Sequence, residues 1–229
     1  VEGDKRDAGF GDMSSNMIMT LKNANGDVSI RKMRSKNLEV EGDGDKGLTI
    51  FDEPADIKGT AFLSFTHILD ADDQWLYLPA LKRVKRISSK NKSGPFMGSE
   101  FAFEDLSSRE VAKFSYLYLR DEAIGGEDAF VVESKPNYKY SGYTRSIAWI
   151  SKEKYQPLKI EYYDRKKSLL KTMTATGYQQ YLGKYWRPDS MNMVNHQTKK
   201  ETRLEFSDYK FQKGLSDRDF DKSSLKRAR

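Results

Sequence analysis

The stretch "MSSNMIMTLKNANGDVSIRKMRSKNLEV", residues 13–40, decides the fold class of this chain. Met17, Met19 and Leu21 occupy every second position, and the run is interrupted by the turn residues Asn25 and Gly26. Alternation with a period of two is typical of a β-strand that buries one face, and an Asn-Gly pair between two such runs favours a hairpin. The stretch therefore predicts a long antiparallel hairpin with one apolar face.

Similar alternation continues along the chain in "GTAFLSFTHIL", "KFSYLYLRDE" and "LKIEYYDR", with short turns between the runs. The runs predict roughly ten short strands, and helical periodicity is scarce, which favours an antiparallel β-meander. One candidate helix covers residues 99–111. A sheet with few helices to cover it needs something else to cover its apolar face.

Composition narrows the classes of function. The chain has 229 residues, a formal net charge of +6 and no cysteine, which excludes thiolate chemistry and disulfides. His67 and His196 lie in strand-like runs with no acid or nucleophile at a telling spacing, so we interpret both as structural. We expect no catalytic residue, no metal site and no cofactor, and we do not expect an enzyme.

Large flexible and aromatic side chains recur at alternating positions and suit an adaptable apolar pocket. An ordinary β core would use the same residue types, so pattern alone leaves both interpretations open. The candidates for lining a lipid cavity are Met17, Met19, Leu21, Phe65, Trp75, Tyr77, Trp149, Tyr162, Met191, Met193 and Phe206.

Residues 88–103, "SSKNKSGPFMGSEFAF", break the strand rhythm yet contain four large apolar side chains. Loops seldom contain so many apolar residues. The segment is predicted to be either a plug in the core or a mobile lid over a cavity. The lid candidates are Phe96, Met97, Phe101 and Phe103.

The run "DDQWLYLPALKRVKRI", residues 71–86, passes from apolar to strongly basic. Lys82, Arg83, Lys85 and Arg86 cannot all point into an apolar interior, because burying unpaired charge is costly. Three interpretations stay open: a solvated edge strand, a basic rim for anionic lipid or an acidic partner, and a nucleic-acid groove. The last is the weakest, since the aromatic residues precede the basic run and acidic residues are plentiful elsewhere.

Five stretches together carry a resemblance to a known family: "GDMSSNMIMTL", "FDEPADIKGTAFL", "WLYLPALKRVKRI", "KSGPFMGSEFAFEDL" and "MTATGYQQYLGKYWRPDSMNM". The chain resembles the outer-membrane lipoprotein-sorting proteins, the LolA-like family. The likeness extends over almost the whole sequence and is most specific over residues 75–106. It is similar to the branch that accompanies exporters of the RND or MMPL type.

The resemblance implies a mainly β protein, an unclosed antiparallel half-barrel of about eleven strands with a helical or loop lid. It implies a periplasmic location after removal of a signal peptide. We expect one lipid-binding domain over residues 1–229, a monomer that does not bind nucleic acid. The implied function is a carrier or chaperone for the acyl chains of lipids or lipoproteins, and transient contact with a membrane surface is also implied. The alternative is an accessory subunit that docks to an RND or MMPL exporter without bound lipid. The resemblance assigns no individual ligand residue.

Overall fold

A computed structural model describes residues 2–227 of the chain. Within this range the backbone forms one short α-helix, α1 (Glu2–Asp7), and fifteen strands. The strands are β1 (Asp12–Lys22), β2 (Val28–Leu38), β3 (Lys46–Glu53), β4 (Ala61–Phe65), β5 (Asp73–Leu78), β6 (Arg83–Ile87), β7 (Phe114–Ile124), β8 (Glu127–Pro136), β9 (Arg145–Ser151), β10 (Pro157–Tyr163), β11 (Leu169–Thr176), β12 (Gln179–Tyr181), β13 (Tyr185–Arg187), β14 (Ser190–Asn195) and β15 (Glu201–Phe211). Single turns of 3₁₀ helix cover Pro79–Leu81, Ser89–Asn91, Phe96–Gly98, Phe103–Leu106, Val111–Lys113, Asp217–Phe220 and Ser224–Arg227.

Thirteen of the strands form one antiparallel sheet in the order β6-β5-β4-β3-β2-β1-β15-β14-β11-β10-β9-β8-β7. The predicted hairpin at residues 13–40 is present as β1 and β2, with Met17 opposite Met33. The first and last strands of the chain pair at the centre of the sheet, with Met17 also opposite Phe206. Two meanders therefore run outward from the β1–β15 pair to opposite edges.

This topology forces the chain across the sheet. Strand β6 ends at one edge and strand β7 begins at the other, so residues 88–113, here called the crossing segment, must connect the two edges. Strand spacings of about 4.8 Å would separate the edges of a flat sheet of this width by about 58 Å. The segment contains four 3₁₀ turns and is far from extended. A curled sheet shortens the distance, and the segment then lies over the concave face.

The two faces of the sheet have separate apolar clusters. Met19, Phe51, Phe62, Met173 and Met193 belong to the cluster that also contains the crossing segment, and we call this the inner face. On the outer face, Leu48, Ile50, Leu63 and Trp75 pack beneath the C-terminal turns through Phe220 and Leu225. Ala129, Val131 and Trp149 form a further cluster. Neighbouring residues such as Leu76 and Trp75 fall in different clusters because successive side chains alternate between faces.

The structure confirms the predicted fold class: mainly β, antiparallel and unclosed. The strand number differs, because the main sheet has thirteen strands and β12 and β13 form a separate hairpin. The candidate helix at residues 99–111 is wrong. That region forms 3₁₀ turns at Phe103–Leu106 and Val111–Lys113 instead. Tertiary packing of Phe101 and Phe103 against the inner face, rather than a continuous helical stripe, determines its path.

Candidate binding cavity

The crossing segment is fixed to the inner face by aromatic packing. Phe96 is 2% exposed, and its ring centroid lies 5.2 Å from that of Phe62 and 5.9 Å from that of Phe51. Phe103 completes the group, 5.5 Å from Phe96. Offset and edge-to-face ring pairs at these separations are favourable beyond the area that they bury. Half of the inner face, over β3 to β5, is therefore filled by the segment itself.

Polar side chains of the sheet hold the backbone of the same segment. Arg31 Nη1 donates to the Met97 carbonyl at 2.5 Å, and Gln74 Nε2 donates to the Phe103 carbonyl at 2.9 Å. Lys171 Nζ donates to the Glu100 carbonyl and to Asp105 Oδ2, both at 2.7 Å. These bonds satisfy carbonyl groups that the crossing segment, lacking a strand partner, would otherwise leave unpaired.

A cavity of about 490 Å³ remains over the other half of the inner face, between the crossing segment and strands β9, β10, β11 and β14. This volume is within the range of roughly 300–1,000 Å³ that is usual for ligand pockets. Its apolar lining comes from Phe101, Tyr143, Ile160, Tyr162, Met173 and Met191. The cavity can thus take up an apolar ligand of moderate size.

Charged groups gather at the same cavity, on the side of the crossing segment and the loop at residues 71 and 72. Asp72 pairs with Lys92 at 3.2 Å and also with Lys113, and all three side chains are at most 13% exposed. Arg109 also lines the cavity, with its guanidinium 4.2 Å from the centre of the Phe114 ring. The cavity is therefore apolar on the side of β10, β11 and β14 and charged on the side of the crossing segment.

Burial raises the pKa values of an acid and a phenol that line the cavity. Burial raises the pKa of Glu104, although the carboxylate accepts hydrogen bonds from Gly142 N at 2.7 Å and Ser141 Oγ at 2.9 Å. Burial also raises the pKa of Tyr143 well above its usual value, and the Asp105 carboxylate beside it adds to the shift. Tyr143 Oη donates to Asp105 Oδ1 at 2.8 Å. The Tyr143 phenol is therefore a neutral hydrogen-bond donor over the physiological pH range.

Seven of the predicted cavity residues lie on the inner face. Tyr162 and Met191 line the cavity. The other five pack elsewhere in the inner-face cluster, and they are Met17, Met19, Leu21, Met193 and Phe206.

Four predicted cavity residues are corrected by the structure. Phe65, Trp75 and Tyr77 pack in the outer-face cluster beneath Phe220. Trp149 packs with Val131, also away from the cavity. In β4 and β5 both faces are apolar and covered, so alternation could not distinguish the inner face from the outer one there. A change in emission from Trp75 or Trp149 is consequently not a direct report of cavity binding.

The lid candidates all lie on the inner face. Phe96 and Phe101 are buried, Met97 and Phe103 are half-buried, and Phe101 also contacts the cavity.

The residues Lys82, Arg83, Lys85 and Arg86, here called the basic edge, are exposed and do not line the cavity. Three of them lie on β6, the terminal strand of the sheet, and Lys82 precedes it with a left-handed backbone at φ 48°. Arg86 pairs with Asp73 of the neighbouring strand. The edge location agrees with both a charge-guarded edge and a solvent-facing rim.

Sequence reasoning missed the cavity residues Tyr143, Ile160 and Met173 and the cations Lys92, Arg109 and Lys113. The three cations belong to the crossing segment, whose path depends on the sheet order and has no local signal.

The two histidines hydrogen-bond to neighbouring side chains. His67 Nδ1 lies 2.7 Å from Asp43 Oδ2, and His196 Nε2 lies 2.8 Å from Thr172 Oγ1. Over residues 2–227 no cluster of potential metal ligands and no helix able to span a membrane is found.

Several proteins of known structure are similar to this chain. The chain is similar to a domain from Vibrio parahaemolyticus described as an outer membrane lipoprotein-sorting protein domain, with 60% identity, a TM-score of 0.96, and coverage of 98% of this chain and 95% of that one. It is also similar to a DUF1329 family protein from Desulfovibrio piger, with 29% identity, a TM-score of 0.92, and coverage of 98% and 95%.

A LolA superfamily protein from Nitrosomonas europaea shares the fold at 22% identity, with a TM-score of 0.75 and coverage of 97% and 95%. A family model described only as an uncharacterized protein matches residues 43–227. No curated protein matches the chain significantly. The open half-barrel with its covered inner face is thus a LolA-like fold. At 60% identity over nearly its full length, the chain belongs to the outer membrane lipoprotein-sorting protein family.

Proposed function

We propose that the protein is a periplasmic carrier that binds the acyl chains of lipids or lipoproteins in the cavity beneath the crossing segment, and that residues 1–229 act as one lipid-binding domain. The cavity of about 490 Å³, with an apolar floor under a segment that crosses it, is the observation that carries this proposal. Family membership supports it, since the Vibrio parahaemolyticus relative is described as a lipoprotein-sorting domain. Binding rather than catalysis agrees with a site that is mostly apolar.

A buried acyl chain needs a separate step for its release. Burial is worth about 0.8 kcal/mol for each methylene group, so a fourteen-carbon chain contributes on the order of 10 kcal/mol. Release therefore needs an acceptor with an apolar path, such as a membrane or a partner protein. A movement of the crossing segment would open that path.

Native mass spectrometry of the purified protein tests the proposal. The parent should retain lipid, seen as a mass increment that detergent washing removes. Met191→Trp fills the cavity and should reduce the bound fraction severalfold, because the larger ring takes the space of the ligand. Val28→Trp is the matched control, since Val28 is exposed on β2. A parent that carries no lipid and takes none up would contradict the proposal.

A second candidate function is docking to an exporter of the RND or MMPL type without bound lipid. The dense packing of Phe96 into half of the inner face favours it, because a filled half-barrel has less room for cargo. The same mass spectra separate the two functions, since a docking subunit would remain free of lipid in the parent and in both variants.

A further inference from the structure

Arg109 is held at the cavity by hydroxyl groups of the sheet. Its Nη2 donates to Ser146 Oγ at 3.2 Å and to Ser134 Oγ, and the two serine oxygens lie 2.9 Å apart. Ser134 and Ser146 are 2% and 5% exposed, so the tip of the arginine reaches down to the floor of the inner face. The Phe114 ring covers one side of the guanidinium. The side chain is thus positioned before any ligand arrives.

No carboxylate of residues 2–227 lies within 4.0 Å of the Arg109 guanidinium, whereas two arginines of the sheet are paired with carboxylates. Arg34 pairs with Asp52 at 2.8 Å, and Arg145 pairs with Glu133 at 2.8 Å. An arginine presents five N–H donors in a planar fork that fits carboxylate and phosphate. Arg109 is therefore a positioned cation that lacks an anionic partner within the described chain.

The neighbouring lysines leave a second excess of positive charge. Lys92 and Lys113 share the single carboxylate of Asp72, and the three groups are nearly buried. Burial lowers the pKa of Lys92, and Lys113 adds to the shift by repulsion. An additional anion at this place would relieve that repulsion. Two ammonium groups on one carboxylate thus favour a ligand with negative charge.

The acidic residues of the cavity are already engaged. Asp105 is paired with Lys171, and both side chains are at most 6% exposed. Glu104 accepts hydrogen bonds from Gly142, Ser141 and Tyr138. The Lys171 ammonium compensates the charge of Asp105, whereas neutral donors hold Glu104 and leave its charge in place. The three cations therefore exceed the remaining carboxylates, Asp72 and Glu104, by one positive charge.

We infer that Arg109, Lys92 and Lys113 bind the ionised headgroup of a single-chain lipid, a carboxylate or a phosphate, while its chain lies over Ile160, Tyr162 and Met173. This inference rests on the proposed function and specifies the class of ligand. A methylene group takes up about as much volume as a water molecule, roughly 30 Å³. A cavity of 490 Å³ then holds about sixteen methylene groups, which corresponds to one chain.

Calorimetric titration at pH 8 with three probes of equal chain length tests the inference. Laurate and dodecyl phosphate have ionised headgroups, and dodecanol is neutral. The parent should bind both anions about tenfold more tightly than dodecanol, as expected for charge-assisted hydrogen bonds. Arg109→Gln should remove most of this preference and leave dodecanol affinity unchanged. Arg83→Gln, which removes an exposed arginine of the basic edge, should change neither.

The outcomes are distinct. Binding of all three probes with equal affinity by the parent overturns the headgroup assignment and leaves the proposed function intact, whereas no binding of any probe overturns both. Equal loss of affinity for all three in Arg109→Gln would show that Arg109 acts only on structure. Lys113→Gln, which leaves Lys92 paired one-to-one with Asp72, gives the same test if Arg109→Gln does not fold. Inorganic phosphate alone should not bind below millimolar concentration, and tight binding would assign the cations to a free oxyanion instead.

Discussion

Lys171 shows how one residue can connect the sheet to the crossing segment. Its side chain is 4% exposed, and its ammonium contacts Asp105 and the Glu100 carbonyl. The ammonium lies 5.2 Å from the Tyr143 ring centre and 5.4 Å from that of Tyr162. A buried ion pair of this kind contributes little net stability against an apolar replacement, but losing one partner costs about 3–5 kcal/mol. The pair therefore specifies where the crossing segment lies more than it strengthens the fold.

Asp45 gives a prediction about pH. Burial raises the pKa of Asp45 to about 6 from its usual 3.8, and the Glu39 and Glu110 carboxylates add to the shift. The folded state therefore binds a proton more tightly than the unfolded state, so the contribution of Asp45 to stability improves as pH falls from above 6 toward 3.8. Asp45→Asn should gain stability over the parent at pH 7.5 and lose most of that gain at pH 4.

Urea denaturation of parent and variant at the two pH values measures the effect. Glu41→Gln, an exposed change in the same loop, is the control for the removal of one negative charge. A stability difference for Asp45→Asn that is identical at both pH values would contradict the assignment.

At the scale of single residues, the sequence predicted the inner face well for β1 and poorly for β5. Met17, Met19 and Leu21 alternate with more polar or exposed neighbours, so their face was readable. In β5, Trp75 and Leu76 are both apolar and both buried, because the C-terminal turns cover the outer face there. Alternation reports a face only when the opposite face is exposed to solvent.

At the scale of elements, the sequence left two interpretations open for residues 88–103 of the crossing segment, a plug in the core or a mobile lid. The two interpretations predict opposite effects of mutation on stability. Phe96 is buried among Phe51, Phe62 and Phe103, so Phe96→Ala should lower the free energy of unfolding by about 3–5 kcal/mol. Met97 is only half-buried, and its interaction with Arg31 uses the backbone carbonyl, so Met97→Ala should cost clearly less. Chemical denaturation of both variants measures the difference. A near-neutral Phe96→Ala would identify the segment as a loose lid and contradict the packing seen here.

The basic edge gives a second prediction for an element. Replacing its four residues with Gln should weaken binding to anionic vesicles at low salt and flatten the dependence on salt, because the attraction between exposed charges is screened. Vesicle sedimentation at low and high salt measures both quantities. Four exposed lysines in turns provide a control of equal charge when replaced with Gln: Lys166, Lys167, Lys199 and Lys200. If the basic-edge variant matches the parent at both salt concentrations, these residues only guard an edge strand against aggregation.

At the scale of the whole molecule, local signals predicted an open antiparallel meander but not the route of the chain through it. Turn residues and alternation indicate which strands are hairpin partners, as for β1 and β2. The pairing of β1 with β15 joins positions almost two hundred residues apart and has no local signature. That pairing sends β6 and β7 to opposite edges, which in turn brings Arg109 and the aromatic residues of the crossing segment over the inner face. The charged side of the cavity was therefore out of reach of the sequence alone.

The methionine methyl groups report whether an acyl chain lies in the cavity beneath the crossing segment. Carbon-13 methyl spectra of the protein should be recorded with a fatty acid that carries a nitroxide on its chain. The resonances of Met173 and Met191 should broaden, because both side chains line the cavity. The resonance of Met13, which packs with Phe10 and Phe211 in a separate cluster, should remain sharp. If bound fatty acid leaves the Met173 and Met191 resonances sharp, or broadens all three resonances alike, the acyl chain does not lie in this cavity.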